Sequence, residues 1–436
     1  METSTGSLQA PLADLVHAQV HPAADTDEIA GVRPQFVVEP DNEEEVAAVL
    51  AFAHGKRLKV LIRGAGTQSG LGFPPTSADI ILSTTRLNQI IEHVPHDMTV
   101  TVQAGLPLTD LQAILSQAGQ RLALDPTLET GATIGGIIAT NATGSRRLRY
   151  GGVRDQIIGI QVVLADGTIA KGGGKVVKNV AGYDLPKLFT GSLGTLGVIV
   201  SATFRLYPLP VASRTVALTA SELAPLCDLA LRILDSTLVP TIVDILGSND
   251  PQKLHTLAIR FEMGEEAAEA QAATLIELAT KVSADLAHTA QILHGEAEEN
   301  FWSRADKHVA IWGNRGTALT VKSSVLPTEV AHWLTSLQHT TQDTHLSTSW
   351  RAHAGHGLIL AHLTGTDNTQ LISAIAPLRQ SAQQHQGSLT VLDGPATLTQ
   401  QLDVWGTVPA LDVMQRLKSQ FDPYGTLNPG RFVGRI

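Results

Sequence analysis

Two stretches of the chain have residue types and spacing suited to holding an anionic ligand. RGAGTQSG (63 to 70) follows the apolar run LKVLI (58 to 62) and places glycine at 64, 66 and 70. Glycines reach positive φ and let successive N–H groups converge on an anion, as in a phosphate cradle. No Gly-Lys-Ser/Thr follows, so it is not a P-loop, and the spacing and later acidic residue of a Rossmann site are missing. A tight structural turn is the competing reading. In GATIGGIIATNATGSRRLRYGGVRD (131 to 155), Thr133 stands where a helix N-terminus would present free N–H groups. Gly135 and Gly136 serve equally well for close helix packing. Arg146, Arg147, Arg149 and Arg154 are either a cationic wall or solvated surface charge. Two phosphate-suited loops in one domain favour a dinucleotide more than either does alone. A third segment, NVAGYDLPKLFTGSLGTLGVIV (179 to 200), is either a helix–turn–strand connection or a wall against the ligand's adenine end.

The elements that position these loops follow from periodicity. FVVEP (36 to 40), a helix from Asn42 to Arg57 and LKVLI form a strand–helix–strand unit that delivers the first loop. TVTVQAG (99 to 105) alternates as a strand and PLTDLQAILSQAG reads as a helix with Pro at its start. IIGIQVVLADGT is a strand closed by an Asp-Gly turn, and GVIVSATFRLY (197 to 207) is a strand that ends at Pro208 and Pro210. Beyond 212 the texture changes. Strands near 213 to 219, 241 to 246 and 255 to 262 alternate with helices near 221 to 236 and 264 to 284. A similar order returns with strands near 318 to 325, 346 to 354 and 357 to 363 and helices near 327 to 339 and 366 to 385. The pattern predicts a two-part antiparallel sheet covered by helices.

Composition narrows the function. A chain of 436 residues with 43% hydrophobic and 17% charged residues is long enough for two or three cores. Its apolar runs fall short of the ~20 residues of a spanning helix. METSTGSLQAPLADLVHAQV lacks the pattern of a secretory signal, so a cytoplasmic location is expected, with peripheral attachment to the inner membrane open only through a partner. A net charge of -10 argues against a nucleic-acid surface. The single cysteine, Cys227, excludes an internal disulfide and an iron–sulfur cluster held by this chain, which normally needs four thiolates.

Taken in order, RGAGTQSG, PTLETGATIGGIIATNATGSRRLRYGGVRDQIIGIQVVLADG, GYDLPKLFTGSLGTLGVI and FDPYGTLNPGR resemble the FAD-linked oxidases of the vanillyl-alcohol-oxidase type. Within the D-lactate and glycolate oxidase branch they are most similar to the FAD-binding E subunits of bacterial glycolate oxidases. The resemblance runs from about 30 to 210 and resumes at 421 to 431. It implies an α+β protein: a PCMH-type FAD-binding domain of two α+β subdomains, then an antiparallel-sheet cap domain with helices on one face. The implied division is an N-terminal helical segment (1–29), the FAD domain (30–210), the cap (211–400) and a C-terminal segment (401–436) returning to the FAD domain.

The resemblance also implies residue roles. Arg63, Gly64, Ala65, Gly66, Thr67, Ser69 and Gly70 would form the first pyrophosphate loop. Pro126, Gly131, Ala132, Thr133, Gly135, Gly136, Thr140 and Asn141 would form the second. Tyr150, Gly151 and Arg154 would line the same cleft, Gly197 and Ile199 would flank the adenine side, and Asn428 would join them. Some relatives tether FAD to a histidine beside the first loop. Thr67, Gln68 and Ser69 stand there instead, so noncovalent FAD is expected.

In relatives that oxidise D-2-hydroxy acids, the cap carries a pattern like HxGDGNxH and a later Glu-His pair. HAGHGLILA (353 to 361) keeps His353 but has His356 at the acidic position and Leu360 at the second histidine; LDGP (392 to 395) has no histidine. No metal is expected, and His353, His356 and His362 read as strand histidines. Two functions stay open. One is an FAD-carrying subunit of a glycolate oxidase-type complex, beside a related flavoprotein subunit and an iron–sulfur subunit. The other is a stand-alone D-2-hydroxy acid dehydrogenase, with Arg304 and Lys322 anchoring the carboxylate and His353 as base.

Overall fold

The computed structural model describes residues 6–17, 19–126, 131–175, 182–309 and 316–436. The chain divides into two compact units, one made of Met1–Thr143, Gly151–Leu209 and Thr407–Ile436, the other of Gly144–Tyr150 and Pro210–Gly406.

The first unit holds two sheets. Strands β1 (Gln19–Pro22), β2 (Phe36–Glu39), β3 (Val60–Arg63) and β4 (Ile80–Ser83) form a sheet in the order β1-β2-β4-β3. Its last three strands are parallel, with Val38 and Ile62 both opposite Leu82. The parallel crossover is made by the helix Glu43–Lys56. Asn42 caps it by accepting from the Glu45 amide, and Arg57 ends it at φ 55°. Val46, Val49, Leu50 and Ala53 of that helix pack on Phe36, Val38, Ile80 and Leu82.

The second sheet uses β5 (Ile90–Val94), β6 (Thr99–Gln103), β8 (Ile157–Val163), β9 (Ile169–Gly173) and β10 (Val198–Arg205), antiparallel in the order β5-β6-β10-β8-β9. A two-stranded ribbon pairs β7 (Gln120–Arg121) with β11 (Tyr207–Pro208). The helices Leu108–Gln117 and Ile134–Thr140 supply Leu111, Leu115, Ile134, Ile137 and Ile138 to the core on this sheet.

The second unit is built on one antiparallel sheet. Its strands are β12 (Ala212–Ala220), β13 (Ile242–Ser248), β14 (His255–Met263), β15 (Gln291–Leu293), β16 (Ala318–Ser324), β17 (Ser347–His353), β18 (Leu358–Thr364) and β19 (Ser388–Asp393). The order is β15-β12-β14-β13-β17-β18-β16-β19, so the two halves read from sequence join edge to edge through β13 and β17. Because side chains alternate along a strand, the sheet has two unlike faces. One carries Val216, Leu218, Leu257 and Ile259, all fully buried. The other carries Thr215, Arg260, Asp244, Arg351 and His353, with Thr215 directly opposite Arg260. The helix Gly295–Lys307 covers part of this polar face, with Trp302 and Ala305 packed on Ile242, Leu246 and Ala258.

Candidate functional site

In the first unit, the loop after β3, the helix Ile134–Thr140, the turn before β10 and the C-terminal segment enclose a cleft of ≈ 780 Å³, counting the part open to solvent. Arg63, Gly64, Ala65, Gly66, Thr67, Ser69, Thr133, Gly135, Gly136, Thr140, Gly197, Ile199 and Asn428, singled out from sequence, all line it.

The two loops contribute differently. Gly66 sits at φ 76°, in the left-handed region that favours glycine. Among the described residues the amides of Ala65, Gly66 and Thr67 donate to no protein acceptor, so three consecutive donors flank the cleft. The helix Ile134–Thr140 is otherwise. Thr133 does cap it, with Oγ1 accepting from the Gly136 amide at 3.3 Å. But the Ile134 and Gly135 amides donate to the Leu106 and Ala104 carbonyls at 2.9 and 2.7 Å. The expected free helix-start donors are consumed by the end of β6, so this loop offers walls and the first loop offers donors. The loops also interlock: a Cβ on Gly64 would lie 2.2 Å from Thr133 Oγ1.

The C-terminal segment completes the cleft. The Asn428 amide donates to the Val60 carbonyl at 2.9 Å, and Asn428 Oδ1 accepts from the Ile62 amide at 3.0 Å. Its Nδ2 donates to Leu193 O at 2.6 Å. Lys418 Nζ reaches Thr195 O and Asp422 Oδ2 at 2.9 and 2.6 Å. Arg431, which the sequence reading passed over, lines the cleft and donates from Nη2 to the Ser69 and Leu71 carbonyls at 2.6 Å each. Burial pushes its guanidinium down to about 10, so the charge survives at neutral pH in a low-dielectric place. An anion in the cleft would offset that cost.

Other expectations fall elsewhere. Among the described residues the lining omits Gly70, Pro126, Gly131, Ala132 and Asn141; Ala132 is in the core and Asn141 ends its helix at φ 51°. It also omits Tyr150, Gly151 and Arg154. Tyr150 groups with the second unit, Gly151 packs against the Asp155 side chain, and Arg154 is exposed. Residues 127–130 of the second loop and 179–181 of the third segment lie outside the described residues. Leu193 and Gly194 do line the cleft. Of the arginine run, Arg147 and Arg149 are exposed, whereas Arg146 pairs with the buried Glu262 at 3.2 Å.

In the second unit, His353 is fully buried. Its Nδ1 lies 3.0 Å from both Asp244 Oδ1 and Ser145 Oγ. Ser145 Oγ donates to Asp244 Oδ2 at 2.6 Å and accepts from Arg351 Nη2 at 3.0 Å. Arg351 Nε donates to Asp244 Oδ2 at 2.8 Å and Nη1 to Asp306 Oδ1 at 2.6 Å. Burial alone would push the Asp244 carboxyl up. The His353 and Arg351 charges and the hydrogen bonds from His353 and Ser145 outweigh it and hold the carboxyl far below the usual range. Serine and aspartate share one imidazole nitrogen, so this is not the relay of a nucleophilic triad, in which they occupy opposite nitrogens. It is a closed polar lock.

The three residues read as substrate-handling come from three elements: Arg304 from the helix Gly295–Lys307, Lys322 from β16 and His353 from β17. Arg304 is exposed and borders two clefts with Thr256 and Phe301. Lys322 sits opposite Leu360, which is itself opposite Arg351. His356 stacks on His353 at 5.4 Å, and burial and the His353 charge push it down to about 4. His362 bonds to Thr320 Oγ1 through Nδ1 at 3.1 Å. Burial pushes the Cys227 thiol up to about 12, which leaves it inert as a nucleophile.

Residues 34–173 match the FAD binding domain family, and residues 210–432 match the family of FAD linked oxidases, C-terminal domain. The chain belongs to the FAD-linked oxidase family. It is an FAD-dependent oxidoreductase. Glycolate oxidase subunit GlcD of Bacillus subtilis is 29% identical over 92% of this chain and 89% of that relative. D-2-hydroxyglutarate dehydrogenase of Xanthomonas citri pv. viticola is 28% identical over 91% and 89%. D-lactate dehydrogenase of Archaeoglobus fulgidus is 44% identical over 39% of this chain and 38% of that relative. Among solved structures, an alkyldihydroxyacetonephosphate synthase superposes with a TM-score of 0.71 at 17% identity, covering 92% of this chain and 78% of that one, which shows a shared fold. No helix among the described residues is long and apolar enough to cross a membrane.

The donor set suits a dinucleotide: three consecutive amides and one buried cation for a diphosphate, beside bare glycine walls. FAD supplies, when bound, the two-electron acceptor that no side chain here provides. The amides of Ala65, Gly66 and Thr67, with Arg431, would hold its charge; Gly135, Gly136 and Gly194 leave room beside it.

Proposed function

We propose that this chain is a flavin-carrying subunit of a glycolate oxidase-type assembly, resembling the E subunit, that takes part in oxidising glycolate or D-lactate to the 2-oxo acid. The observation that supports a subunit role is the state of the polar face of the second unit. His353, the residue best placed in sequence to act as base, is fully buried with Nδ1 committed to Asp244 and Ser145, while Arg304 is exposed. A general base must reach the proton it abstracts, and a fully buried ring does not. The chain's own residues bind and orient the flavin and exclude water from its phosphates; a related flavoprotein subunit would supply the base and carboxylate anchor.

Electrons would leave through a partner with iron–sulfur clusters, since one cysteine cannot ligate one. Attachment to the inner membrane would come through such partners.

The deciding experiment is the visible spectrum of the chain purified alone, without oxygen, before and after glycolate or D-lactate is added. Flavin bands that persist, and bleach only once partner subunits are added, support the subunit reading. Bleaching by the isolated chain overturns it in favour of a stand-alone dehydrogenase, and absence of flavin bands would remove the cleft from the argument.

A further inference from the structure

Away from the flavin cleft and the Asp244 lock, the second unit gathers three metal-competent side chains at the ends of two helices. Glu329 closes the 3-10 turn Pro327–Glu329, His332 lies in the first turn of the helix Val330–Asp343, and His385 caps the end of the helix Asn368–Gln384. The helices lie against each other, with Ser381 Oγ donating to Ser336 Oγ at 2.9 Å, one turn from His385 and His332. The two imidazoles stack with 5.3 Å between centroids and 2° between planes. Both turn Nδ1 to one carboxylate oxygen: Glu329 Oε2 lies 3.2 Å from His332 Nδ1 and 2.5 Å from His385 Nδ1.

Two imidazole nitrogens and one carboxylate oxygen form a recurrent zinc ligand set, with bonds of about 2.0–2.2 Å that place neighbouring tetrahedral ligands about 3.3 Å apart. The His332 to Glu329 edge already has that length. The three ligand atoms lie within 4.8 Å of one another, so a small opening of the His385 edge completes the triangle. Glu329 and His385 are each 26% exposed and His332 is 67% exposed, leaving the outer coordination position to water. Imidazole donors select zinc-like cations over magnesium or calcium. We propose that Glu329, His332 and His385 form a surface site for a zinc-class divalent cation that clamps the start of one helix to the end of its neighbour. The site is independent of the flavin chemistry.

The test uses the flavin-loaded full chain without an affinity tag. It is stripped with chelator, equilibrated with Zn²⁺, gel-filtered, and assayed for zinc per chain and for melting temperature with and without zinc. One retained zinc and a zinc-dependent rise in melting temperature are expected. Both should vanish in His332→Ala/His385→Ala, while Glu329→Gln weakens zinc by at least the ~10-fold that even loss of an outer-shell partner causes. His339→Ala, an exposed histidine further along the same helix, should change neither. Circular dichroism and flavin content establish that each variant is folded. If the wild type retains no more zinc than the double variant, or Glu329→Gln binds as tightly as wild type, the site is overturned.

Discussion

Replacing Gly64 by Ala probes the interlock of the two cleft loops without touching ligand chemistry. Gly64 is not in the left-handed region, so alanine is conformationally tolerable there, and by restricting the unfolded chain would stabilise by ~0.4–1 kcal/mol. The added Cβ, however, lies 2.2 Å from Thr133 Oγ1. Relieving that overlap displaces the side chain that caps the helix Ile134–Thr140, at ~1 kcal/mol, on top of an overpacking penalty of ~1–3 kcal/mol. The net expectation is destabilisation by ~1–3 kcal/mol with impaired flavin retention. Thr133→Ala loses the cap alone, ~1 kcal/mol, but removes the obstructing oxygen. In Gly64→Ala/Thr133→Ala the nearest neighbour that remains is the Thr133 Cβ at 3.3 Å. The double variant should therefore be more stable than Gly64→Ala alone, a coupling of ~1–2 kcal/mol. Urea unfolding followed by circular dichroism, with flavin absorbance per protein after gel filtration, measures both. Additive single effects, or full flavin occupancy and unchanged stability in Gly64→Ala, would refute the interlock.

Two further perturbations separate charge from shape. Arg431→Met keeps bulk but removes the cleft's buried cation and leaves the Ser69 and Leu71 carbonyls without its donor. Flavin occupancy after gel filtration should collapse, and occupancy equal to wild type would discard Arg431 as the diphosphate partner. His356 is pushed down to about 4 from an unfolded value near 6.5, so the unfolded chain takes up its proton first as pH falls. Stability in the second unit should drop by of order 3 kcal/mol between pH ~6.5 and ~4 and stay lost below. His356→Gln should flatten that limb of the profile, and an unchanged acid slope in urea titrations would show that His356 is not the group responsible.

The first-unit cleft was legible to the extent that glycine spacing encodes it. Gly64, Gly66, Gly135, Gly136 and Gly197 all line it because a backbone approached closely leaves a compositional mark. Which amides stay free was not legible. The Ala104 and Leu106 carbonyls that consume the second loop's donors lie about thirty residues upstream, and only the pairing of β6 brings them there. Arg431 sits inside a motif read as a turn-rich strap, and nothing local marks it as buried. Strong alternation or amphipathic spacing exposed β6, β8, β10 and most of the second unit. Short or polar strands such as β5, β9, β15 and β19 lack that signal and are made by tertiary pairing. Ser145 is the extreme case. It reads as one small residue ahead of an arginine run, yet it bridges Asp244, Arg351 and His353 through a segment grouped with the second unit.

The strap formed by Asn428 and Arg431 bears on how the holoprotein is made. One wall of the cleft and its only buried guanidinium among the described lining residues come from a segment some 360 residues downstream of the first loop. A nascent chain that has displayed both glycine loops outside the ribosome still lacks the Val60–Leu427 pairing and the cation beside Ser69. On the proposed assignment of FAD to this cleft, flavin loading is tied to synthesis beyond residue 431, and partly made chains have no complete site with which to sequester the cofactor.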